Sequence, residues 1–519
     1  MSGVSGRARI AGWALSLALG LAACGSDNSA THAQPAMRGM IEGFYGPPYS
    51  FDDRIDLIRF LPRAGLNTYI YAPKLDALHR DRWRQPYPTD DLAHFAMLVD
   101  VARALDVRFV FALSPGAGFD PGSTDQTVLQ EKLGTLFDAG VRDFCLFFDD
   151  LAATSAAGDP RVEANIVAAT HRYLRARSPA TTLCFIPHYY AGTAAELRAD
   201  TAPFNGQFAI PSSAAYAAYA TLPADVAMMW TGPRVFANPL RVVDAVAVRD
   251  LAAHPLIVWD NFPVNDVVLS RELFLSPYRA REPGIETVLH GIVLNTMLQP
   301  QASKIALWTA GRFFADSATY DPDTALDEAL IEVAGGSAGA AAVARLAEQF
   351  RSHPLIGDET ESPTLVARSA DFFATPSAAS EAALRALFAS FVSTPAALAR
   401  DVANTALVGE LREPARKLAL YGVAGQMALD LLDASARGET IDAAPLDERL
   451  AEARAIPWLV GANTPIGPGL DSLFTNGAVV RADAFGDFFT EMQRRLDAAT
   501  QNAIAPQSMR SFAAASSGT

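Results

Sequence analysis

Two aspartates, Asp149-Asp150, stand side by side at the end of the apolar run "VRDFCLFFDDL". Adjacent acids also cap helices and line solvated loops, so the pair needs a context before it means chemistry. Where an apolar strand opens into a cavity, one carboxyl can protonate a leaving group while its neighbour stays ionised. Like charges held close push their pKa values apart. Acid-catalysed cleavage of a glycosidic bond uses two carboxyls, ordinarily ~5 Å apart for retention or ~6.5 to 9.5 Å for inversion, flanking the sugar. Neighbours in sequence cannot easily straddle a ring. They can work side by side when the nucleophile belongs to the substrate, as when a 2-acetamido carbonyl oxygen attacks the anomeric carbon. One acid then steadies the acetamido N–H and the other serves the leaving oxygen.

The elements that would position such a pair repeat along the chain. From about residue 38, short apolar runs alternate with amphipathic helical stretches: "RGMIEGFYG", "NTYIYAPK", "VRFVFALSP", "VRDFCLFFDD", "TTLCFIPHYY", "VAMMWTGP", "PLIVWDNFP" and "GIVLNTM". Short apolar runs separated by helical patterns predict repeated βα units, and eight of them predict a (β/α)8 barrel, here over residues 38–317. An open doubly wound sheet would call for a Gly-rich phosphate loop after a strand, and the sequence has none. Ser50, Thr89 and either Thr124 or Asp125 are placed to cap helices, and Gly65 and Gly140 to close two. Beyond the barrel, strand-like runs almost vanish. Ala-, Leu- and Arg-rich helical patterns predict an all-helical C-terminal domain over 318–505, followed by a disordered tail at 506–519. These helices could wall a cleft, form a homodimer surface or only buttress the barrel.

Barrel enzymes assemble their sites at the C-terminal ends of the strands. Those ends are polar and aromatic here: "EGFYG", "APKLDALHR", "FFDDL", "PHYYAG", "MWTGP", "WDNFPVND" and "LNTM". Half of the 519 residues are hydrophobic and 19% are charged, as in a packed globular chain. The net charge of −15 argues against nucleic acid, whose phosphates need a concentrated basic surface. A neutral or small polar substrate fits better. His79 and His188 lack neighbours at metal-ligand spacing, so a metal site is not expected.

The N-terminus, with Arg7, Arg9, the stretch "IAGWALSLALGLAA" and then Cys24, resembles a bacterial lipoprotein signal over 1–23 followed by a linker at 24–37. Cys24 would become the lipidated first residue, with Gly25 and Ser26 directing it to the outer membrane. A plain secretory signal cut near "THA" is the alternative. No later segment reads as a membrane span. Cys145 and Cys184, each inside a strand-like run, are expected as two buried free thiols in preference to a disulfide.

Taken in order from Arg38 to about Leu298, "RGMIEGFYG", "YIYAPKLDALHRDRWRQPYP", "FFDDL", "VAMMWTGP", "LIVWDNFPVND" and "GIVLNT" resemble glycoside hydrolase family 84, the O-GlcNAcases and related β-N-acetylglucosaminidases. The resemblance implies a retaining exo-β-N-acetylglucosaminidase acting through an oxazoline on a GlcNAc-containing glycan or glycopeptide, without a cofactor. It makes Asp150 the general acid and then base, and Asp149 the group that polarises the acetamido nitrogen. Tyr190 would bond the acetamido oxygen, while the Gly43 carbonyl and Lys74 would reach sugar hydroxyls. Thr231 and Trp259 would wall the acetamido group, Asn261 would support the acids, and Asp266 and Asn295 would hold hydroxyls. Phe44 and Tyr45 are expected to shape the pocket floor and rim. On residue chemistry alone, Lys74 could be a rim cation, Trp259 a core aromatic and the two asparagines loop caps. The segment "HRDRWRQPYP" reads as scaffolding for the loop after the second strand. Leu75-Asp76 and His188-Tyr189 depart from the family pattern, as does Tyr49 where relatives often have Trp, so the aglycone preference is left open. Activity on hyaluronan or other glycans is one alternative; a catalytically idle GlcNAc-binding lipoprotein is another.

Overall fold

Eight strands form where the eight apolar runs predict them: β1 (Met37–Glu42), β2 (Thr68–Tyr71), β3 (Arg108–Leu113), β4 (Asp143–Phe147), β5 (Thr182–Ile186), β6 (Ala227–Trp230), β7 (Leu256–Asp260) and β8 (Gly291–Asn295). A computed structural model of the chain describes residues 34–116, 118–151, 155, 159–203, 210–351, 360–464 and 483–498. Cys24 and the 506–519 tail lie outside the described residues. The strands pair in parallel in chain order, and β8 closes on β1 through Met37↔Gly291 to Ile41↔Asn295, giving a (β/α)8 barrel.

The pleat sorts each strand into two faces. Ile41, Ile70, Val110, Cys145, Phe147, Cys184, Ile186, Met229, Ile257 and Val293 form a core cluster of their own inside the barrel. Their strand neighbours, such as Met40, Tyr69, Phe109, Leu146 and Leu294, join the larger core under the helices. Phe44 belongs to that outer core, fully buried with its ring 5.0 Å from Tyr49. It therefore does not shape the pocket as expected, because it falls on the outward phase of β1.

Helix entries follow side-chain chemistry only in part. Ser50 caps Phe51–Phe60 in a capping box with Asp53. Thr89 is instead the first residue of its helix, with Pro88 at the cap, and Thr124 occupies a cap position without donating or accepting there. Cys145 and Cys184 correct the expectation of free thiols: they face each other across β4 and β5 with Cα atoms 4.5 Å apart and are joined as a disulfide. The register that brings them together is set by barrel closure, which the spacing of the two cysteines in sequence does not reveal.

The last barrel helix, Pro300–Ala315, leads into Pro322–Ala334, Ser337–Ala347, Pro363–Ala374, Ala378–Asp401, Thr405–Ala436 and Ala444–Ala455, with a final helical stretch at 484–498. Ala378–Asp401 is long and apolar enough to cross a membrane by length and composition. It packs along Thr405–Ala436, where Gly422 lets the backbones approach: a Cβ there would lie 2.7 Å from the Phe388 carbonyl oxygen. The helical region also grips the barrel. Glu410 accepts from the backbone N–H groups of Gln301 and Ala302 at 2.9 and 2.8 Å, filling the donor-rich N-terminus of the last barrel helix.

Candidate active site

A pocket of about 340 Å³ opens over the C-terminal ends of the strands. All ten residues expected at the site line it: Gly43, Lys74, Asp149, Asp150, Tyr190, Thr231, Trp259, Asn261, Asp266 and Asn295. Most of this convergence follows from the pleat. Lys74 continues the inward phase of Ile70 and Ala72; Asp149 that of Cys145 and Phe147; Thr231 that of Ala227 and Met229; Asn295 that of Val293. Each of these four side chains is the next inward residue above a filled barrel core.

Asp150 breaks the phase. One position beyond Asp149, it would face outward on a regular strand, but its φ of +53° turns the chain off the strand path. Its carboxylate then accepts from the Tyr190 hydroxyl at Oδ1 and the Tyr45 hydroxyl at Oδ2, both at 2.8 Å. Burial acts to raise its pKa, but Lys74, the two tyrosines and Arg80 together hold it below the usual carboxylate range. Asp149 is 4% exposed. Its Oδ2 contacts the Lys74 ammonium, while Oδ1 has no hydrogen-bond partner among the described residues. Lys74 thus sits between the two acids, with Nζ 3.9 Å from Asp150 Oδ2 and 5.2 Å from the centre of the Trp259 ring.

The opposite wall is a hydrogen-bonded relay. Trp259 Nε1 and Asn295 Nδ2 both donate to Asn261 Oδ1 at 3.0 Å, and Asn261 Nδ2 donates to the Val235 carbonyl at 2.8 Å. The Gly43 N–H donates to Asn295 Oδ1 at 3.3 Å. Thr231 spends its hydroxyl on the Tyr190 and Arg234 carbonyls, which makes it wall. Asp266 Oδ2 accepts from the Tyr45 N–H at 2.6 Å, and burial raises its pKa. Among the described residues, no group of three His, Cys, Asp or Glu side chains could hold a metal ion.

Two residues do more than the sequence suggested. Tyr45 is a donor to Asp150 as well as a rim aromatic; its place after "EGF" was visible, its reach across the barrel mouth to a residue 105 positions away was not. Arg80 lies in a segment that read as scaffolding.

A closed parallel barrel whose strand ends converge on adjacent carboxylates, a cation and aromatic walls defines a barrel enzyme of the glycosidase class. The β-N-acetylglucosaminidase family model matches residues 38–348, more than half of the chain, and the protein belongs to this family, glycoside hydrolase family 84. The rat and mouse proteins named Protein O-GlcNAcase are each 28% identical to it over 303 residues, 57% of this chain and 32% of theirs. The matched chain thus spans about a third of the length of these curated relatives. A solved mutant O-GlcNAc hydrolase from Thermobaculum terrenum shares the fold, with a TM-score of 0.75 at 23% identity over 90% of this chain and 96% of that one. The structure named CpGH84B matches with a TM-score of 0.68 at 26% identity, over 82% and 75%.

Gly43 has a definite steric reason to be glycine. A Cβ there would lie 2.5 Å from Trp259 Cζ2 and 3.3 Å from Asn295 Oδ1. Gly43→Val is therefore expected to push the indole into the pocket and raise KM for an aryl β-N-acetylglucosaminide by about 10- to 100-fold, the equivalent of 1–3 kcal/mol of overpacking. Steady-state kinetics that leave KM unchanged would show that the indole can give way.

Proposed function

We propose that the protein is a retaining exo-β-N-acetylglucosaminidase that works by substrate-assisted catalysis. The observation that carries this reading is Asp149 Oδ1, a buried acceptor without a donor among the described residues. Such an oxygen is costly unless a ligand satisfies it, and the acetamido N–H of a GlcNAc in the pocket is a fitting donor. With its N–H held, the acetamido carbonyl oxygen attacks the anomeric carbon. The bond from that carbon to the aglycone oxygen breaks as Asp150 gives the oxygen a proton, leaving an oxazoline in its N-protonated, oxazolinium form, whose N–H stays held by the Asp149 carboxylate. Asp150 then takes a proton from water, which opens the oxazoline from the face the aglycone left. Two inversions restore the original configuration.

Asp150 has to be protonated for the first step, yet the surrounding donors and cations favour its ionised form in the free protein. A bound sugar supplies the change: when Tyr190 turns its hydroxyl to the acetamido oxygen, Asp150 loses one donor and becomes more deeply buried, and both effects raise its pKa. The pocket volume, at the low end of the ~300–1,000 Å³ typical of ligand sites, suits one terminal sugar ring.

Protein-linked O-GlcNAc is the favoured substrate, on the names of the rat and mouse relatives. The protein is exported and tethered to the outer membrane through Cys24; the Cys145–Cys184 disulfide supports an oxidising compartment. Turnover of 4-nitrophenyl β-GlcNAc tests the activity, and a protein that binds the sugar without cleaving it would be the idle lipoprotein instead. Faster release of GlcNAc from an O-GlcNAc peptide than from chitin or hyaluronan oligosaccharides is expected. The reverse order would assign the glycans.

A further inference from the structure

Most of "HRDRWRQPYP" is the scaffolding it reads as: Arg84 lies 4.5 Å from the Trp83 ring centre and pairs with Asp125. Arg80 is different. Its Nη1 donates to the Tyr45 hydroxyl and its Nη2 to the backbone carbonyl of Asp150, both at 3.1 Å. That carbonyl belongs to the residue held at a φ of +53°, a left-handed conformation that an aspartate tolerates better than most side chains but that takes the chain off the strand path. The Tyr45 hydroxyl, in turn, donates to the Asp150 carboxylate. One guanidinium therefore grips Asp150 at both ends, the main chain directly and the carboxylate through Tyr45. A rigid planar fork can serve two such acceptors at once, whereas an ammonium is a single point charge.

We propose that Arg80 is a positioning residue, which holds the Asp150 carboxylate turned into the pocket and supplies, beside Lys74, the second positive charge of a site that gathers Asp149, Asp150 and Asp266. The inference rests on the reading of Asp150 as the acid and base. The groups facing Asp150 are Tyr45 beyond β1, Lys74 and Arg80 beyond β2, Asp149 beyond β4, Tyr190 beyond β5 and Asp266 beyond β7. Of these, Arg80 is the one whose charge does not titrate near neutral pH and which also touches the Asp150 main chain.

The test is the pH profile of kcat/KM on 4-nitrophenyl β-GlcNAc for the wild type, Arg80→Gln and Arg80→Lys, with melting temperatures measured alongside. Arg80→Gln should lose about 10- to 100-fold in kcat through misplacement of Asp150. Its alkaline limb should move up by about one pH unit, because without the nearby cation the acid keeps its proton to higher pH. Arg80→Lys keeps the charge and should leave that limb in place, yet lose rate because it cannot hold both acceptors. A Gln variant with wild-type rate and profile, or one that loses rate with its alkaline limb unmoved, overturns the proposal. Should Arg80→Gln not fold, a wild-type rate in Arg80→Lys overturns it equally. An inactive wild type would sink the glycosidase reading itself, and this inference with it.

Discussion

Asp150→Ala is expected to lower turnover of 4-nitrophenyl β-GlcNAc by about 10²- to 10⁴-fold, the usual weight of a general acid and base. Asp149→Ala should lose about 10²- to 10³-fold, as when one preorganised electrostatic contact to a developing charge is removed. The two losses should differ in kind. Nitrophenolate leaves without much help from a proton, so Asp150→Ala should hurt alkyl and glycopeptide substrates more than the activated aryl one. In the proposed mechanism Asp149 serves the nucleophile, whichever group departs, so its loss should be similar across leaving groups. Lys74, buried against Asp149, would be left as a cation without its nearest partner in Asp149→Ala, so Asp149→Asn is the cleaner companion variant. Near wild-type rates in either alanine variant would sink the mechanism.

Arg281→Met is expected to cost about 3–5 kcal/mol of stability, as breaking a buried ion pair from one side does. Asp260 is 1% exposed and Arg281 5%. The guanidinium clamps both carboxylate oxygens, with Nε 2.8 Å from Oδ2, and the Tyr278 hydroxyl adds a 2.8 Å bond to Oδ2. With methionine in place, Asp260 would be a buried acid without its counter-ion. A urea denaturation midpoint shifted at constant slope measures the loss, and a change below about 1 kcal/mol would show that water or another donor replaces the arginine. The double variant Asp260→Leu/Arg281→Met should recover much of it, because the cost lies in the orphaned charge. Asp260 separates Trp259 from Asn261, so the single variant should also disturb the pocket wall.

The strands were readable because apolar runs mark them locally; the ten pocket residues were read from the resemblance to a known family, and the inward phase carried one step past the strand end accounts for Lys74, Asp149, Thr231 and Asn295 among them. What escaped depends on contacts between distant segments. Nothing local to Lys74 says that it will lie between two carboxylates, and nothing local to Asp150 says that a left-handed turn will bring it inward. The Cys145–Cys184 pairing needs the β4–β5 register, and Phe44 was misplaced for want of the phase of β1. Thr89 lost its cap to Pro88, whose fixed φ already suits the chain just before a helix.

The hold of Glu410 on the last barrel helix bears on how this chain can be cut. The family match ends at residue 348, which invites a shortened catalytic fragment. Such a fragment would strip the Gln301 and Ala302 N–H groups of their acceptor and remove Thr464, whose backbone N–H donates to Glu272 at 2.9 Å, and Phe350, whose carbonyl accepts from the Leu275 N–H at 3.2 Å. The helices beyond the barrel thus complete hydrogen bonds that barrel segments start, and domain swaps or crystallisation fragments drawn at the family boundary would sever a working joint.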